Sequence, residues 1–127
     1  MRDFVLYHLP AIGFAAIILV VSSISNPPKP SIEIPNFDKI AHFVEYFLFS
    51  ILVFRSLQRL FLSSPKRISL LFGLLFVSLF AGIDEYRQQF VPGRFCDGWD
   101  YLTDISSALC ASLLFFSVRR VKRVKNS

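Results

Sequence analysis

The sequence contains four apolar stretches, each long enough to cross a lipid bilayer as a helix. A spanning helix needs about 20 residues, at about 1.5 Å per residue through about 30 Å of hydrocarbon. The stretches cover residues 4–25, 37–57, 68–90 and 100–118. With 54% hydrophobic and only 18% charged residues, the chain has more apolar surface than one small soluble core can bury. The sequence therefore predicts a single all-α membrane domain over residues 1–127.

The charged residues are divided between the two ends of these spans. One end holds ten of the fourteen basic residues but only one of the nine acidic residues, Asp3. The ten are Arg2, Arg55, Arg59, Lys66, Arg67, Arg119, Arg120, Lys122, Arg123 and Lys125. Because short segments rich in lysine and arginine stay in the cytoplasm, we expect both termini and the basic tail of residues 119–127 on that side. The sequence thus predicts a four-transmembrane-helix bundle, multi-pass in a membrane and with its basic end on the cytoplasmic side.

The basic residues also limit the classes of partner. The net charge of +5 does not indicate a nucleic-acid partner, because the basic residues flank apolar spans instead of alternating with exposed aromatic residues. Membrane lipids are the expected partners of the protein. The basic tail is interpreted first as a topology anchor, and the alternative is that it also binds anionic lipid, at about 1 kcal/mol per base near the surface. The sequence predicts no particular oligomeric state and no particular cofactor.

Neither the first span nor the cysteines indicates covalent processing. Ser23-Ile24-Ser25 resembles a signal-peptidase site, but the apolar run before it is longer than a typical signal core, which favours an uncleaved first span. Cys96 lies in a connection and Cys110 near the middle of the fourth span. Their different depths argue against a disulfide between them.

Ionisable residues of three spans are expected at one depth. Counting about 20 residues from the basic ends of the second, third and fourth spans reaches Lys39, Arg87 and Trp99. His42 and Asp104 then lie within about two helical turns of the same surface. An ionised carboxylate in lipid costs about 2.5 to 3.5 kcal/mol, so these groups should face one another or a wet cavity.

The helical period assigns these polar residues to shared faces. The second span presents Asp38, His42, Glu45 and Tyr46, the third Asp84, Glu85, Gln88 and Gln89, and the fourth Asp100, Asp104, Ser107 and Ala111. Because so many carboxylates repel one another, a cation should lie among them: Lys39, protonated His42, Arg87, Arg94 or a bound metal. Structural alternatives remain for three of these residues, with Arg94 paired to Asp97 or Asp84, Asp38 as a helix cap, and His42 as a hydrogen-bonded structural histidine.

Three motifs in this region resemble those of the VanZ-like family of small bacterial membrane proteins. Residues 38–46 read DKIAHFVEY, similar to the family's DKxxHFxxY, and residues 84–94 read DEYRQQFVPGR, similar to its DExxQxFxPGR. Asp97, Asp100 and Asp104 match its trailing pattern, in which an Asp is followed four positions later by Asn or Asp. The resemblance covers about residues 38–111. It implies a multi-pass protein of the bacterial cytoplasmic (inner) membrane, in an envelope setting with a shared polar site. The family's namesake is an accessory factor in resistance to glycopeptides, notably teicoplanin, and the resemblance implies no reaction.

Our leading hypothesis is an outward-facing polar pocket that binds an amphiphilic envelope ligand, either a lipid head group or a lipid-like glycopeptide. The predicted ligand-binding residues are Asp38, Lys39, His42, Tyr46, Asp84, Glu85, Gln88, Arg94, Asp97, Asp100 and Asp104. Arg94, with His42 or Lys39, would contact an anionic group, because a guanidinium binds phosphate or carboxylate bidentately. The carboxylates would orient these cations.

Two alternatives stay open. One is a metal-dependent hydrolase or transferase acting on lipid phosphates, with Mg²⁺, Mn²⁺ or Zn²⁺ held by carboxylates and an imidazole. No dedicated spacing such as HExxH supports it, and no serine or cysteine nucleophile with a base is evident. The other is a purely structural membrane protein, in which the polar layer only holds the helices together.

Overall fold

The computed structural model describes residues 1–28 and 31–125, and side chains as far as Val118 along the last helix. The side chains of the predicted basic tail, residues 119–127, lie outside the described residues, as does Lys29. Four helices follow one another along the chain: α1 (Phe4–Ser22), α2 (Phe37–Leu60), α3 (Lys66–Gln88) and α4 (Gly98–Lys125). In α1 the first residues, Phe4–His8, form a π-helix that continues into the α-helix Leu9–Ser22.

All four helices are long and apolar enough to cross a membrane, α4 over its part Gly98–Val118. The described residues form no strand. The prediction of an all-α polytopic membrane protein with four spanning helices is therefore confirmed. The cytoplasmic position of the termini stays a prediction.

The outer surface of the bundle is apolar along most of its length. Large hydrophobic side chains are exposed on every helix, among them Ile17, Leu48, Leu79 and Leu113. In water a contiguous apolar surface of this extent would drive association. In a bilayer the same surface faces acyl chains at no cost, while the helices satisfy their backbone hydrogen bonds internally.

The interior is built from small and aromatic residues. A buried cluster joins all four helices through Ile18, Tyr46, Phe49, Val53, Val77, Ala81 and Ala108. On α4 the side chains of Ser107, Ala108 and Ala111 are completely buried, and such small residues let helix backbones approach closely. Helices α2 and α3 pack tightly at Gly73, where an added Cβ would lie 2.5 Å from Cδ1 of the buried Phe54 ring.

Helix α1 contributes least to this interior. Its buried residues are Ala11, Ile18 and Ser22, and its main polar contacts lie near its two ends. At the end rich in arginine and lysine, which we call the basic end, Asp3 pairs with Arg59 at 2.6 Å. There the His8 ring also lies 2.7 Å from the Ser56 hydroxyl, a contact that connects α1 to α2.

The opposite end of the bundle, which we call the acidic end, contains the C-termini of α1 and α3 and the N-termini of α2 and α4. The two connections at this end, residues 23–36 and 89–97, touch at Gly93. This glycine has φ +78°, and a Cβ there would collide with the side chain of Asn26. Only glycine adopts this backbone without strain, and the close approach carries the following residue, Arg94, to the end of α1.

Candidate functional site at the acidic end

Lys39 connects α2 to the beginning of α4. Its Nζ lies 2.8 Å from Asp100 Oδ1 and 3.2 Å from Asp97 Oδ2. The backbone N–H of Trp99 donates to the other oxygen of Asp97 at 2.9 Å. This hydrogen bond first, and the Lys39 ammonium second, hold the pKa of Asp97 below its ordinary value. Asp97 therefore stays ionised at the surface of the acidic end.

His42 lies between two aspartates of α4. Its Nδ1 is 3.1 Å from Oδ1 of Asp104, and its Nε2 is 3.8 Å from Oδ2 of Asp100. The Asp104 side chain is only 1% exposed, so its position is fixed by packing. An ionised Asp104 would accept a hydrogen bond from Nδ1, and Nε2 is directed towards Asp100.

Asp84 joins three helices. It accepts hydrogen bonds from Ser22 Oγ of α1 at 2.6 Å, from Arg87 Nη1 at 3.1 Å and, at a longer 3.4 Å, from the Tyr46 hydroxyl of α2. Arg87 also donates through Nη2 to Ser23 Oγ at 2.7 Å. Ser22 and Ser23 were not among the predicted site residues, although counting depth along the first span would assign both hydroxyls to this level.

Glu85 is buried beside these groups, with 4% of its surface exposed. Its Oε1 accepts the backbone N–H of Asp97 at 2.6 Å. Its Oε2 is buried and has no hydrogen-bond partner among the described residues. Gln88, one turn further along α3, is also buried.

Arg94 and Asp38 lie apart from the ionic contacts of this cluster. Arg94 donates from Nε to the backbone carbonyl of Ile24 and from Nη2 to that of Val21, at 3.2 and 3.0 Å. It therefore caps the C-terminus of α1, and the alternative in which it pairs with Asp97 or Asp84 is wrong. Asp38 is exposed in the first turn of α2, where its charge complements the helix dipole. Asn36 occupies the N-cap position, so the interpretation of Asp38 as the cap is also wrong.

Among the predicted ligand-binding residues, those that the structure brings together come from α2, α3, α4 and the α3–α4 connection. They are Lys39, His42, Tyr46, Asp84, Glu85, Asp97, Asp100 and Asp104. Within this group, potential metal-ligand atoms of His42, Glu85 and Asp100 lie within 4.8 Å of one another, a spacing that could hold a metal ion.

The acidic end is negatively charged overall. Seven carboxylates lie on these three helices and the connection, belonging to Asp38, Glu45, Asp84, Glu85, Asp97, Asp100 and Asp104. The fixed cations described there are Lys39, Arg87 and Arg94. Several carboxylates are buried, so their repulsion is screened less than it would be in water.

Four apolar helices that enclose a polar cluster at one end define a multi-pass helical membrane protein. Within that class, a family model described as VanZ/LLP1 matches residues 4–119. The chain therefore belongs to the VanZ/LLP1 family, and the match extends beyond the motifs to include α1. No curated protein and no solved structure matches the chain.

Proposed function

We propose that this VanZ/LLP1-family protein resides in the bacterial cytoplasmic membrane with its acidic end outward, and that this end binds the head group of an envelope amphiphile. One observation carries the proposal: polar side chains of all four helices meet at the acidic end of a bundle whose outer surface is largely apolar. Polar groups at membrane depth are costly and are usually retained for function. A lipid or lipid-like glycopeptide in the outer leaflet would present its head group at this depth.

The exposure of the charged side chains indicates which groups would contact a ligand. Asp84 and Asp104 are buried, whereas 37% of the Lys39 side chain and 40% of the Arg87 side chain are exposed. Lys39 and Arg87 would therefore contact a phosphate or carboxylate. Arg94, whose Nε and Nη2 already bond α1 carbonyls, would instead hold the connection in place beside the ligand.

The outward orientation of the acidic end can be tested with the two native cysteines, both of which are free and exposed. Cys96 lies in the α3–α4 connection and Cys110 within the membrane-spanning part of α4. We expect a membrane-impermeant maleimide to label wild-type protein in intact cells. The label should disappear in Cys96→Ser and persist in Cys110→Ser, because thiolate forms in water and not in lipid. Labelling of Cys96 only after cell lysis would reverse the proposed orientation.

Head-group binding can be tested by photocrosslinking with an anionic lipid probe in membranes. Loss of one charge-assisted contact is worth about 1.5 kcal/mol, so Lys39→Gln should reduce labelling about tenfold. The matched control is Lys66→Gln, an exposed lysine at the basic end, which should label like wild type. Teicoplanin added as a competitor would distinguish a glycopeptide ligand from a lipid. Equal labelling of wild type and Lys39→Gln would contradict the proposal.

A further inference from the structure

Three helices each supply one metal-ligand side chain at the acidic end. The potential ligand atoms, one each from His42 of α2, Glu85 of α3 and Asp100 of α4, lie within 4.8 Å of one another. The distance from His42 Nε2 to Asp100 Oδ2 is 3.8 Å. Two ligands bound to one zinc ion at about 2.1 Å stand about 3 to 4 Å apart, depending on the angle between them. The spacing therefore suits a single ion after small side-chain movements.

The unpartnered oxygen of Glu85 points to a cation as the missing partner. Glu85 is 4% exposed, and its Oε2 is buried without a hydrogen-bond donor among the described residues. A buried charged oxygen without a partner is costly, and native structures rarely leave one. A metal ion between Glu85, His42 and Asp100 would satisfy it.

Each of the three ligands is also held by a second group. Asp104 bonds His42 through Nδ1, which leaves Nε2 as the free ligand atom. The backbone N–H of Asp97 holds Glu85 through Oε1, and Lys39 holds Asp100 through Oδ1. In each residue the other polar atom stays available. Metal sites in proteins have this organisation, because outer hydrogen bonds orient the ligands.

We propose that His42, Glu85 and Asp100 form a binding site for a divalent first-row transition metal ion, with Asp104 as the residue that positions His42. One imidazole and two carboxylates suit Mn²⁺ or Zn²⁺. The ion would neutralise the buried carboxylate of Glu85 and the partly buried carboxylate of Asp100 and, with three protein ligands, keep coordination positions open. The ion could bind the phosphate or carboxylate of an amphiphile at its open coordination positions, and this step rests on the proposed function. Binding of the ion itself does not rest on it.

The test is titration of the full-length protein, purified in detergent, with Mn²⁺, followed by the EPR signal of the free ion, with Zn²⁺ as competitor. Wild type should bind about one ion per chain, displaceable by Zn²⁺. Glu85→Gln, which keeps the shape and the acceptor for Asp97, should weaken binding more than about 100-fold, and Asp104→Asn about 10- to 100-fold. Glu33→Gln, the same change on an exposed residue of the α1–α2 connection, should bind like wild type.

Several outcomes would overturn the metal site. Wild type that leaves the Mn²⁺ signal unchanged refutes it directly, as does equal binding by wild type and Glu85→Gln. Asp100→Asn replaces Glu85→Gln if the latter does not accumulate. If EDTA leaves lipid crosslinking unchanged, the ion takes no part in ligand binding. If the protein binds Mn²⁺ but crosslinks no lipid, the proposed function is refuted and the metal site stands.

Discussion

Replacing Asp84 with alanine is expected to lower the free energy of unfolding by about 2 to 4 kcal/mol. Asp84 is buried and accepts hydrogen bonds from Ser22, Tyr46 and Arg87. Its removal leaves the buried Tyr46 hydroxyl without this acceptor and Arg87 without its counter-ion. Ser22 loses less, since its hydroxyl also reaches the carbonyl of Leu19 at 3.2 Å. Because these contacts join α1, α2 and α3, the loss should affect the whole acidic end.

The measurement is thermal unfolding in detergent, followed by circular dichroism. Asp38→Ala is the matched control, because Asp38 is exposed and its interaction with the helix dipole is worth less than about 1 kcal/mol. Asp84→Asn keeps one oxygen as an acceptor and should fall between wild type and Asp84→Ala. If Asp84→Ala unfolds at the same temperature as Asp38→Ala, Asp84 does not hold the three helices together.

Replacing Gly73 with valine is expected to destabilise the fold by about 3 kcal/mol, through overpacking between α2 and α3. A Cβ at this position would lie 2.5 and 2.7 Å from Cδ1 and Cε1 of Phe54. Phe54 cannot move aside freely, because its ring is completely buried and packs against the ring of Phe115 on α4, with 5.9 Å between the ring centroids. The two helices would have to separate.

The chain offers a matched control for this substitution. Gly13 is also helical, and nothing lies within 4 Å of a Cβ added there, so Gly13→Val should leave the unfolding temperature unchanged or raise it slightly. Adding Phe54→Leu to Gly73→Val should recover part of the loss, since coupled neighbours give non-additive effects in a double-mutant cycle. Equal stability of Gly73→Val and Gly13→Val would exclude a tight contact at Gly73.

The sequence was sufficient to predict the four helices and to predict which residues form most of the polar cluster at the acidic end. Hydrophobic length predicts the spans, and counting from the basic anchors assigned His42, Asp84 and Asp104 to one level, where the structure finds them in contact with polar partners. The depth of a residue in the membrane can be predicted from the sequence, because it depends only on the helical rise per residue. The role of this cluster in binding remains a prediction.

Other features could not be read in the same way. Arg94 follows a glycine with positive φ in a connection, so no helical period predicts which carbonyls it reaches. The helical period assigns side chains to a face, but contacts such as that between Gly73 and Phe54 set how far each helix is rotated towards its neighbours. Ser22 and Ser23 of α1 were not predicted for a different reason: they carry no charge, so they were not counted with the ionisable residues.

The attachment of α1 has a consequence for how the protein depends on its surroundings. This helix is held near one end by Ser22 and by Arg94, and at the other by Asp3 and His8, with little buried surface between. The contacts that hold α1 to the other helices are therefore concentrated near the two water-facing boundaries of the bilayer. Ionic strength and lipid head-group charge act at those boundaries, so they should influence α1 more than α3, whose buried residues extend from Ser69 to Gln88.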